Sequence, residues 1–161
     1  LSMMSYYKPA LAYEMLESAL GEELYAKGLK EFIARWNGKH PTPWDFFYTF
    51  NNVSGKNLNW FWNKWFFEPT YIDLALKNVK VTGNKYTLTI QNIGGMPAPA
   101  DVVLNYKDGT KEVIHQTPAM WQANQKQATA TVMAKKPVAS IRLAGGIFMD
   151  GNELNNEWKS K

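Results

Sequence analysis

Between Phe67 and Leu74 the spacing of apolar residues changes. Before this point they recur every three or four positions, and after it at every second one. These are the periods of a helix face and of a strand face, and no single layer satisfies both. Pro69 stops any helix that precedes it, so the boundary belongs at residues 69–73. Helices followed by strands, and not alternating with them, predict an α+β chain. It divides into a helical unit over residues 1–72 and an antiparallel β-sandwich over residues 73–161.

The helical part is well punctuated. Residues 8–20, KPALAYEMLESAL, are good helix formers with Pro9 in a first turn and Gly21 as a stop. A second helix follows, with Tyr25, Leu29, Phe32, Ile33 and Trp36 on one face and Glu23/Lys27 and Glu31/Arg35 spaced to pair on the other. Asn37-Gly38 ends it. Residues 42–67, TPWDFFYTFNNVSGKNLNWFWNKWFF, hold nearly half of the chain's aromatic residues. Thr42, Pro43 and Asp45 read as N-cap, first-turn proline and N3 acid of a third helix that runs to about Val53. Ser54-Gly55 closes it. From about Asn57 a fourth helix places Leu58, Phe61, Trp62, Trp65 and Phe66 on one face. The two make a hairpin whose rings, each removing roughly 150–250 Å² from water, form the expected core. The alternative for a segment that displays Trp60, Phe61, Trp62, Lys64, Trp65 and Phe66 is to lie in a membrane interface.

In the second half, residues 78–82 and 85–91 read as strands joined at Gly83-Asn84, a hairpin dipeptide. Further strands are expected over residues 101–106, 111–116 after the Asp108-Gly109 turn, 127–133 and 139–143. Short strands at regular spacing with turn signals between them imply a sandwich of the immunoglobulin or fibronectin kind.

With 161 residues, 45% of them hydrophobic and 14% aromatic, the chain can bury a real core, and disorder is not expected. The absence of cysteine excludes disulfides and thiolate chemistry and leaves the compartment open. No apolar run reaches 18 residues, so no membrane span is expected. The start, LSMMSYYKP, lacks the parts of a secretion signal and reads as an arbitrary cut into a longer protein. The net charge of +4 arises in the second half: residues 1–72 carry seven Lys/Arg and seven Asp/Glu, residues 73–161 eleven and seven. Those lysines are scattered among turns and strand faces, which describes a solvated surface and not a nucleic-acid groove.

The two histidines, His40 and His115, fall in different units, and neither has a second ligand at helical or finger-like spacing. No zinc site is expected from them: His40 reads as a loop residue beside Pro41, His115 as a strand residue. There is no G-x-S-x-G, no P-loop and no G-x-G-x-x-G. Taken alone, the chain shows no machinery for catalysis.

An ordered set of motifs points elsewhere. Tyr6-Tyr7-Lys8-Pro9, Met15-Leu16, Leu20-Gly21-Glu22-Glu23-Leu24-Tyr25, Thr42-Pro43-Trp44-Asp45-Phe46-Phe47 and Trp60-Phe61-Trp62-Asn63-Lys64-Trp65 follow one another over about residues 4–68. In order and spacing they resemble the zinc aminopeptidases of the aminopeptidase-N type, the gluzincin metallopeptidases, in a bacterial branch with Tyr-x-Lys-Pro. Many bacterial members continue into a β-sandwich, and the Asp150-Gly151-Asn152 and Asn155-Asn156 ending resembles theirs.

The resemblance implies that the helices are the end of a thermolysin-like catalytic domain whose parent holds zinc and hydrolyses N-terminal residues from peptides. Tyr6 would be the phenol that donates to the oxyanion of the tetrahedral intermediate. The H-E-x-x-H helix and third zinc ligand would lie in an upstream catalytic segment of the same parent, so this chain is expected to bind no zinc and to be inactive alone. A periplasmic or secreted location is implied in the same way. The rival reading is a non-catalytic module, in which the sandwich takes a peptide, a glycan or a protein partner through Trp121 and neighbouring tyrosines, and the helices serve as an adaptor. An exposed Trp121 would favour the module, and a buried one a scaffold.

Overall fold

The computed structural model describes residues 7–144 and 150–160. Four helices are followed by seven strands, and the chain forms two compact units that divide between Glu68 and Pro69.

In the helical unit, α1 (Lys8–Leu20) buries Ala12, Met15 and Leu16, and its last turn is closed by the Gly21 N–H on the Glu17 carbonyl. Gly21 sits at φ 86°, a conformation that costs a residue with a Cβ, which is why the chain can turn directly into α2 (Glu22–Trp36). Helix α2 packs on α3 (Pro43–Ser54) through Gly28. A Cβ there would come within 2.5 Å of the Phe50 ring. Phe32 meets Phe46 edge-on at 5.1 Å, and Tyr25 meets Phe50 at 5.8 Å. Gly28 thus sets the line of contact. Ile33, expected on the apolar face, lies about 100° round from Phe32 and is 62% exposed. The Glu31–Arg35 pair forms at 2.7 Å, whereas Glu23/Lys27 is not among the ion pairs of the described residues.

Helix α3 starts as its capping residues require: the Thr42 N–H and hydroxyl donate to the Asp45 carboxylate at 2.8 and 2.7 Å. It stops at Gly55, in the left-handed region at φ 63°. The fourth helix is not uniform. A short α4 (Asn59–Trp62) widens into a π-helical turn (Asn63–Phe67), closed by the Glu68 N–H on the Asn63 carbonyl. Leu58, Phe61, Trp62 and Trp65 are buried as expected. Trp60 is buried too, so four of these rings turn into the unit, while Phe66 is half-buried and Phe67 is 52% exposed.

In the second unit, β1 (Leu74–Thr82), β2 (Lys85–Asn92) and β5 (Gln127–Met133) form one sheet in the order β1-β2-β5. The other, in the order β4-β3-β6-β7, is made by β3 (Ala100–Tyr106), β4 (Lys111–Gln116), β6 (Val138–Ala144) and β7 (Glu157–Lys159). All strand pairs are antiparallel. Strict alternation buries Tyr86, Leu88 and Ile90 from one sheet and Val102, Leu104 and Tyr106 from the other. Residues 69–72, grouped with the helices by sequence, are held by the sandwich. The Tyr71 N–H reaches the Gly94 carbonyl at 3.1 Å, and the Asp73 carbonyl accepts from Ile93 and Gly94 at 2.8 and 3.2 Å. Gly94 is there for close approach, because a Cβ on it would stand 2.2 Å from the Tyr71 carbonyl oxygen.

Candidate functional site

Within the helical unit, the start of α1 borders an open apolar cavity of about 580 Å³ whose lining includes Pro9, Tyr13, Phe32, Pro43, Phe46 and Phe66. The capped start of α3 and the first turns of α1 form its walls, so the same punctuation that sets those helices shapes the cavity. Tyr13, with its ring 5.4 Å from that of Phe46, is the one titratable side chain among the described lining residues. Among its described lining residues there is no carboxylate or imidazole, so these walls offer an apolar surface with one phenol. Deeper in the unit, burial raises the Tyr25 phenol above its ordinary range, and Glu17 and Tyr13 add to the shift, so it stays a neutral hydrogen-bonding group.

Tyr6 lies outside the described residues. Its neighbour Tyr7, just ahead of α1, is 66% exposed. His40 is exposed in the loop between α2 and α3. His115 lies in the other unit on β4, opposite Asp101 of β3, with Nδ1 2.7 Å from an Asp101 carboxylate oxygen. Among the described residues no three His, Cys, Asp or Glu side chains come together as metal ligands.

Trp121 is fully buried in a one-turn helix (Pro118–Trp121), and its indole N–H donates to the Ala98 carbonyl at 2.7 Å. Tyr86 and Tyr106 are buried as well. The ring on which the binding-module reading relied is part of the sandwich core, which is what a scaffold requires.

Sequence reasoning missed Asn51. Its side-chain oxygen accepts from the Leu58 N–H at 3.2 Å and from the Trp62 indole N–H at 3.0 Å, and its amide donates to Asn59 at 3.1 Å. One side chain therefore ties α3 to the start of α4. The only sequence signal is a polar residue inside an otherwise aromatic helix, which is weak because asparagine is common at helix ends.

The architecture defines a class first: a helical segment followed by an antiparallel sandwich of three and four strands. Residues 1–65 match the Peptidase family M1 domain, so the helical unit is where this similarity lies. No curated protein matches the chain. Among solved structures it is similar to Legionella pneumophila aminopeptidase A, determined in complex with aspartic acid, with a TM-score of 0.64 and 20% identity. The likeness covers 86% of this chain and 16% of that one, so it runs through helices and strands alike while spanning a small part of the larger molecule. Over residues 1–65 the chain is similar to the M1 peptidase domain, and across helices and strands it shares its fold with one part of that larger structure, in keeping with the resemblance carried by its motifs.

Proposed function

We propose that this chain is the C-terminal part of a zinc-dependent aminopeptidase that removes N-terminal residues from peptides. The observation that carries the reading is the family match over residues 1–65, which coincides with the ordered motifs from Tyr6 to Trp65. The H-E-x-x-H motif is not in this sequence, so the metal and its helix would belong to an upstream segment of the parent. Bound there, zinc would polarise the scissile carbonyl and lower the pKa of a water molecule. This chain would add one neutral donor. A phenol with an ordinary pKa near 10 keeps its proton at working pH, and the Tyr6 hydroxyl would give it as a hydrogen bond to the oxyanion. One preorganised donor of this kind is worth about 2.7–4 kcal/mol of barrier.

The sandwich would act as a scaffold, in keeping with its buried Trp121. Extracytoplasmic action, periplasmic or secreted, belongs to the same proposal. The chain by itself is expected to hold no stoichiometric zinc and to hydrolyse no aminoacyl substrate. Elemental analysis after dialysis against a mild chelator, together with an aminoacyl-amide hydrolysis assay, checks both points. One tightly held zinc per chain, or turnover by the chain alone, would overturn the division of labour.

A further inference from the structure

At the root of the sandwich the Asp150 carboxylate sits on the backbone N–H of Leu74, the residue after Asp73, and among the described residues neither acid has a basic partner. Asp73, just ahead of β1, is only 9% exposed, and its Oδ1 is buried with no hydrogen-bond partner. Its Cβ and Cγ pack on Gly151, at 3.4 and 3.5 Å from where a Cβ on that glycine would stand, so the carboxyl is turned toward the loop that carries Asp150. Asp150 is fixed in turn: Oδ2 accepts from the Leu74 N–H at 3.0 Å and Oδ1 from the Asn152 N–H at 2.8 Å. Each of those oxygens retains a lone pair. The ion pairs among the described residues involve neither carboxylate. Burial, and after it the charge of Asp150, raises the Asp73 carboxyl above its ordinary range. An unpartnered buried carboxylate oxygen beside a second negative charge is costly unless something positive shares the space.

We propose that Asp73 and Asp150 form a binding site for a hard divalent cation of the calcium type. The donors are all oxygen, which suits calcium or magnesium and not zinc. Two carboxylates are too few to strip such an ion of its water. The site is therefore of the weak class, with a dissociation constant of about 10⁻⁴–10⁻³ M. Once bound, the ion ties the start of β1 to the Asp150–Asn152 segment and supplies the charge the two carboxylates lack. The site lies wholly in the sandwich and does not depend on the aminopeptidase reading.

The test is a calorimetric titration of the chelator-stripped full chain with calcium chloride, and with magnesium chloride for comparison, in wild type, Asp73→Asn and Asp150→Asn. It is paired with thermal unfolding in chelator and in 10 mM calcium. A saturable heat is expected for wild type, with the folded-to-unfolded ratio rising about ten- to a hundredfold at 10 mM calcium. Both effects should vanish in Asp73→Asn, which in chelator should be at least as stable as wild type because the amide removes the repulsion. Should Asp73→Asn fail to fold, Asp150→Asn decides by the same loss of heat. Absence of heat and of stabilisation in wild type, or equal heats in all three chains, would overturn the proposal, the first by leaving a proton as the partner of Asp73 and the second by placing the ion elsewhere.

Discussion

The two units reach stability by different routes. The helical core is a mesh of rings: Phe46, Phe47, Phe50 and Trp62 meet one another at 4.6–6.3 Å, and few aliphatic side chains fill between them. The sandwich core is mainly aliphatic and layered, with Leu88, Ile90, Val102, Leu104 and Ile141 buried on alternating positions and Trp121 as its single large anchor. Their surfaces differ too. The outer face of the β1-β2-β5 sheet pairs Thr87 with Thr131 and Thr89 with Thr129, as a finished surface should. The helical unit leaves Trp44, Tyr48 and Phe67 about half exposed, with Trp44 stacked on Phe67 at 5.0 Å. In the proposed parent, such rings are where the upstream segment would find apolar contact. The sandwich also exposes large apolar side chains, but they are mostly aliphatic, as at Ile93, Val113, Met133 and Leu154, where the helical unit exposes mostly rings.

The strongest way to break this comparison is Trp62→Ala, which removes a ring that five others among the described residues touch and one hydrogen bond to Asn51. It should cost about 3–5 kcal/mol. Hydrogen exchange should show the loss across α1 to α4 and leave β1 to β7 protected; an equal loss in the strands would mean one shared cooperative unit.

Two glycine replacements sharpen the contrast. Gly94→Ala drives a methyl against the Tyr71 carbonyl oxygen, a backbone atom that cannot step aside, so its cost should fall at or above the top of the usual overpacking range of about 1–3 kcal/mol. Gly28→Ala meets the Phe50 ring, which can shift, and should fall toward the bottom of that range. Urea unfolding of both variants ranks them, and the reverse order would mean that the strap over residues 69–73 is looser than its hydrogen bonds imply.

Local chemistry was legible in the sequence. Pro9 and Gly21 bound α1, Thr42 and Asp45 start α3, and β4 and β5 begin and end where their turns place them. What could not be read depends on distant partners. The π-helical turn after Trp62 follows from how its rings lodge against α3, a fact that no spacing encodes. Strand β7 has three residues and only one half-buried side chain, and it exists because β6 offers it an edge. Ile33 faces outward because Gly28 decides where α2 touches α3. For the candidate site, the motifs carry a resemblance from which a role for Tyr6 is proposed, and Tyr6 lies outside the described residues.

The smallest effect expected is electrostatic and belongs to the sandwich. Lys136, and then Thr110, hold the Asp108 carboxyl well below the usual carboxylate range. Lys135 first and Tyr106 second lower the Glu112 carboxyl. Depressed folded-state values mean stability that is present above about pH 4–5, where the unfolded chain's carboxylates are also ionised, and lost as pH falls through the folded values. Asp108→Asn should flatten the acid side of the sandwich's stability profile slightly and leave the helical unit's profile alone. Asp108 is about half exposed, so the change should be small and should shrink further in salt.

The account turns on Tyr6, and the most direct measurement is steady-state kinetics of the whole parent protein carrying Tyr6→Phe, with Tyr7→Phe as control. Loss of the Tyr6 hydroxyl should lower kcat and kcat/KM by similar factors, on the order of 10²–10³, with zinc content unchanged, while Tyr7→Phe stays near wild type. Near-normal kcat in Tyr6→Phe, or a defect that follows Tyr7 instead, would contradict it.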